Sequence, residues 1–150
     1  MTFVQKLCII IVQTILLCRK VLNIMGKFAI KATKTGFTYS LNARNGQVIA
    51  VGGEVYNSLA SVKKSIESVM KNAPAAGIED QTIEGYEKVA NPKFEIYKDK
   101  AGEFRFRLKA KNGEIIAASE GYVRKFSCKK GIDSVKKNSV DAPVIEPEEK

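Results

Sequence analysis

Two stretches of the chain carry the same order of apolar and polar positions, about 66 residues apart. One runs from Lys27 to Asn72 and the other from Lys93 to Asn138. Each opens with a short apolar pair, Phe28 and Ile30 or Phe94 and Ile96, and then a turn containing Gly36 or Gly102. Alternation follows. Phe37, Tyr39, Leu41 and Ala43 interleave with Thr38, Ser40, Asn42 and Arg44; Phe104, Phe106, Leu108 and Ala110 interleave with Arg105, Arg107, Lys109 and Lys111. Period two predicts a strand with one apolar face. Asn45-Gly46 and Asn112-Gly113 come next, and Asn-Gly suits the positive φ that a type I′ hairpin turn needs. Val48 to Val51 is apolar on both faces, as an interior return strand should be.

The period then changes. Leu59, Val62, Ile66, Val69 and Met70 fall on one helical stripe, and Cys128, Ile132 and Val135 repeat its core positions. Asn57 or Ser58 can cap the first helix, Asn72 suits a left-handed helix end, and Pro74 prevents continuation. Ile78 and Pro143-Val144-Ile145 read as short final strands. So regular a period indicates internal duplication. A unit of about fifty residues buries too little apolar surface to be comfortable alone, so the two copies should share one core. The predicted boundaries are 26–80 for the first repeat, 81–91 for a linker, 92–145 for the second repeat and 146–150 for an acidic tail.

Residues 1–25 break the pattern. Leu7 to Cys18 is an apolar run interrupted only by Gln13 and Thr14. It is shorter than a bilayer-spanning helix requires, and no small-residue cleavage site follows it. Two readings stand: an upstream stretch before a true start at Met25, or a membrane-associated helix.

Composition narrows the chemistry. The chain has no histidine, which removes His-based triads, His metal sites and the commonest general base near neutral pH. Cys8, Cys18 and Cys128 form no C-x-x-C pair, so neither a zinc nor a redox motif is present. A reducing, cytoplasmic setting is the natural expectation, with membrane association through residues 1–25 as the alternative. No glycine-rich phosphate loop occurs. Cys128 sits on the apolar stripe, which suits a buried small hydrophobe better than a nucleophile. No enzyme and no cofactor is expected.

Charge adds one candidate surface. The net charge is +9, and residues 92–140 carry +7 of it. Alternation places Arg105, Arg107, Lys109 and Lys111 on one strand face, a row spanning roughly 20 Å. Tyr97 should share that face on the neighbouring strand. Such a row suits a phosphate backbone, with Tyr97 as a stacking surface. Glu95 and Glu114 point to the same face, so internal pairing competes with that reading. Arg124, Lys125, Lys129, Lys130, Lys136 and Lys137 form a second basic group around the second helix. Helix surfaces are often lysine-rich, and last-turn lysines suit the helix dipole. Nucleic acid or another anion is therefore the candidate partner. A protein-interaction or structural module with no nucleic-acid ligand is the alternative.

The run F-E-I-Y-K-D, G-E-F-R-F-R-L-K-A-K-N-G-E-I-I-A, S-E-G-Y and G-I-D-S-V-K-K-N resembles the YegP-like family, a small family of unknown function that often occurs as tandem repeats. The resemblance spans residues 26–145 and is closest in the second copy. In the first copy Lys31-Ala32-Thr33 replaces Tyr97-Lys98-Asp99, and Thr38 and Ser40 replace the two arginines. The resemblance implies an α+β fold: two tandem β-β-β-α-β repeats forming one antiparallel sheet, with exchanged C-terminal strands and both helices on one face. It also implies a monomer with an internal pseudo-two-fold. It supplies no catalytic residues.

Overall fold

The computed structural model describes residues 26–147. The two readings of residues 1–25 and the end of the acidic tail fall outside that range. The first unit contains β1 (Lys27–Ala32), β2 (Phe37–Asn42), β3 (Val48–Gly52), α1 (Leu59–Asn72) and β4 (Gly77–Asp80). The second contains β5 (Lys93–Lys98), β6 (Phe104–Lys109), β7 (Ile115–Ala118), α2 (Lys125–Ser139) and β8 (Val144–Ile145). All eight strands form one sheet in the order β4-β5-β6-β7-β3-β2-β1-β8. The units meet at β3 and β7, where Val51 faces Ala118 and Gly52 faces Ala117.

Each unit gives its last strand to the other. β4 lies beside β5, and β8 lies beside β1. These two edge pairs are parallel, so the sheet is mixed; the antiparallel expectation holds for the six strands between them. The physical reason is the connection. A helix crossover separates each last strand from its own hairpins, and a crossover can deliver a parallel strand where a tight turn cannot.

One core lies between the sheet and the two helices. Phe28, Tyr39, Leu41, Phe94, Phe106 and Leu108 enter it from the strands; Val62, Ile66, Val69, Cys128, Ile132 and Val135 enter it from the helices. Each unit builds the same aromatic ladder. Phe28 meets Tyr39 edge-on at 5.9 Å, and Tyr39 stacks on Tyr56 at 6.2 Å. Phe94, Phe106 and Tyr122 repeat this at 5.8 and 6.4 Å. The ladders end differently. Tyr56 Oη lies 2.6 Å from Ser65 Oγ on α1. At the matching place on α2 stands Gly131, where a Cβ would come within 2.5 Å of Tyr122 Oη and 3.0 Å of the Phe106 ring.

Helix ends follow the expectation in part. Ser58 caps α1, accepting from the Ser61 N–H at 3.1 Å. Asn72 is not left-handed: the residue after it, Ala73, is helical, and the Asn72 amide donates back to Ser68 O at 2.8 Å. Asn138 does the same to Ser134 O in α2. Both are i to i−4 side-chain bonds that fold the amide back along its own helix.

Candidate functional site

The face of the sheet away from the helices is crossed by one continuous row of partners: Ile145, Ala29, Ser40, Val51, Ala118, Arg107, Glu95 and Glu79. The pseudo-two-fold passes between Val51 and Ala118. On one side the row is apolar or small; on the other it is ionic. Ser40 thus occupies the place of Arg107, Ala29 that of Glu95, and Ile145 that of Glu79.

The ionic half is internally paired. Glu95 is only 2% exposed. Its Oε1 receives Arg107 Nε at 2.6 Å and Lys109 Nζ at 3.3 Å. Its Oε2 receives Gln81 Nε2 at 2.9 Å and lies 3.4 Å from Lys93 Nζ. Glu79, equally buried, receives Lys93 Nζ at 2.7 Å, Gln81 Nε2 at 2.8 Å and the Val89 N–H at 2.8 Å. The segment 81–91 is therefore fastened over this face at both ends rather than being a free linker. Arg105 Nε reaches Asp99 Oδ2 at 2.7 Å across the β5–β6 turn. Arg107 also lies over the Tyr97 ring at 4.7 Å.

Electrostatics follow from these contacts. The hydrogen bond from Gln81, with those from Lys93 and Val89, pulls the Glu79 carboxyl down to about 2. Burial opposes the charge on Glu95, but the hydrogen bonds from Arg107 and Lys109 outweigh it and hold the carboxyl below its usual range. The Arg105 hydrogen bond does the same for Asp99. Burial pushes the Cys128 thiol up to about 11, so it is protonated at neutral pH.

Of the residues expected to form the row, Tyr97, Arg105, Arg107 and Lys109 share one face. Lys111 does not: β6 ends at Lys109, and Lys111 stands exposed in the turn. A register shift between Leu108 and Lys109 precedes it. Glu114 forms no ion pair with Lys111 among the described residues; Asn112 takes the Glu114 N–H instead. Glu79, Gln81 and Lys93 are partners that sequence reasoning missed: Lys93 shares a face with Glu95 by alternation along β5, while the parallel β4–β5 register is what brings Glu79 and the following Gln81 beside them. Away from this face, a cleft of about 670 Å³ opens between α1 and the β6–β7 turn, lined by Tyr56, Lys64, Ser65, Asn112 and Glu114. Among the described residues no group of three His, Cys, Asp or Glu side chains could hold a metal ion, and no helix is long and apolar enough to cross a membrane.

The family model for a domain of unknown function, DUF1508, matches this chain twice, over residues 32–80 and 99–146. The chain belongs to the DUF1508 family. One match falls in each structural unit, beginning at the end of β1 and just after β5. A UPF0339 protein from Treponema denticola is 63% identical over 54 residues, which is 36% of this chain and 93% of that protein. The UPF0339 protein YegP of Yersinia pestis is 37% identical over 121 residues, 80% of this chain and 94% of YegP. The solution structure of YegP from E. coli, described as a protein of unknown function, superimposes with a TM-score of 0.68 at 30% identity, over 85% of this chain and 97% of that one. DUF1508 units thus resemble single-unit and double-unit relatives alike, and the YegP-like resemblance of the sequence is correct.

Proposed function

We propose that this chain is a non-enzymatic accessory module that acts by contact with a partner, and that the Arg105–Lys109 face is a structural ion network rather than a nucleic-acid track. One observation carries the second part: Glu95 and Asp99 already hold the three cations of the row. A phosphate backbone gains affinity by neutralising free cations and releasing its counterions. Here it would have to displace the half-buried Asp99 and the buried Glu95, which is also tied to Gln81 and Lys93. The non-enzymatic part is supported by the lack of histidine and by the buried, protonated Cys128. The boundaries 26–80 and 92–145 describe its two units in this reading, with 81–91 as a strap.

A gel-shift titration with mixed single- and double-stranded nucleic acid tests it. The expected result at low salt is no retardation that depends on Arg105 and Arg107. A salt-sensitive complex lost in the Arg105→Ala, Arg107→Ala variant would reinstate the strand face, with Tyr97 and Lys111, as a nucleic-acid site.

A further inference from the structure

The loop leading into α2 and the first turn of that helix expose two apolar side chains that the fold does not use. Val123 is 82% exposed and Phe126 67%, and no other exposed large hydrophobic among the described residues exceeds 53%. Arg124, Lys129 and Lys130 stand exposed around them. Lys130 Nζ lies over the Phe126 ring at 4.9 Å. Lys125 is turned away and tied to Asp80 at 3.0 Å.

The other copy shows that the fold does not require this. The places of Val123, Arg124 and Phe126 are held there by Asn57, Ser58 and Ala60. Ser58 caps its helix, whereas Arg124 makes no side-chain cap bond. The second unit thus lacks a cap and leaves two apolar side chains in water. Both features are local costs, and local costs without a packing return gather at working surfaces.

We propose that this tip is a docking surface for an anionic lipid bilayer. The patch pairs two strongly exposed apolar side chains with exposed cations, Arg124, Lys129 and Lys130. That pairing complements an anionic bilayer: exposed apolar side chains enter the acyl boundary while flanking cations stay with the headgroup phosphates. Each such cation raises affinity for an anionic leaflet about fivefold, and the three together about a hundredfold. The inference stands whether or not the strand face binds nucleic acid, because the two surfaces share no residue.

The test uses the full chain and sedimented vesicles of phosphatidylcholine alone or mixed equally with phosphatidylglycerol. The expected result is at least tenfold stronger binding to the anionic vesicles at low salt. A variant carrying Val123→Asn, Arg124→Ser and Phe126→Ala takes the residues that the other unit uses at these places. It should stay folded by thermal melt and lose at least tenfold in binding. The chain has no tryptophan, so Phe126→Trp introduces a single indole, whose emission should shift to the blue with anionic vesicles. Equal binding to both vesicles, undiminished binding of the triple variant, an unmoved indole emission in the Phe126→Trp variant or absence of binding would each overturn the proposal. So would retention on single-stranded RNA in preference to vesicles.

Discussion

Glu95 shows how a single carboxylate changes what a row of cations can do. Four polar partners converge on it in a site that water barely reaches. Its cations are themselves partly exposed, so the network lies between a buried ion pair and a surface one. Glu95→Ala should therefore cost about 2 kcal/mol in urea unfolding; a loss too small to measure would mean that the network contributes nothing. Glu79 sets an acid limit. Its carboxyl titrates near 2 in the folded chain, against an ordinary 4.5. A depressed carboxyl stabilises the fold above its unfolded value, and that contribution fades as pH falls through the folded one. Melting temperature should accordingly drop between about pH 4.5 and 2, and Glu79→Gln should flatten that part of the profile.

At the scale of elements, the two helices report different demands on one plan. Arg124→Ser would restore to α2 the cap that Ser58 gives α1, a gain of about 1 kcal/mol seen as a higher melting temperature. Gly131→Ala should do the reverse. Helix propensity favours alanine by about 1 kcal/mol, but the new methyl would lie 2.5 Å from the half-buried Tyr122 hydroxyl and 3.0 Å from the buried Phe106 ring, so the ladder must shift to admit it. A net loss of about 1–2 kcal/mol is expected, as for other overpacked cores. The elements themselves were legible in the chain. Alternation marked β2 and β6, Asn-Gly marked where both hairpins turn, and the helical stripe marked the buried faces of α1 and α2, because these signals are local. The turns are not type I′, since Gly46 and Gly113 but not Asn45 and Asn112 have positive φ. Lys111 was misplaced because alternation does not say where a strand ends. Glu79 was invisible as a partner of Lys93 and Glu95 because only the β4–β5 register brings it to them. Val123 and Phe126 left a faint trace, since comparing the copies at 57 and 60 would have found them.

At the scale of the molecule, neither unit is complete. β5 needs a strand from the first unit and β1 needs one from the second. A relative of which 54 residues are 93% has only one unit to offer. Residues 92–150 expressed alone should thus be unfolded as a monomer and fold as a dimer, which light scattering with circular dichroism would show; a folded monomer would refute the shared core. The strand exchange also places both ends of the fold together, for Phe28 faces Val144 at the sheet edge opposite β4. The strap 81–91 already spans the equivalent gap from the end of β4 to the start of β5. A strap of similar length joining residue 146 to residue 26, with the chain opened between 81 and 91, would give a circular permutant in which the second unit is made first. Order of synthesis and order in space are separable in this fold, and either unit can lead.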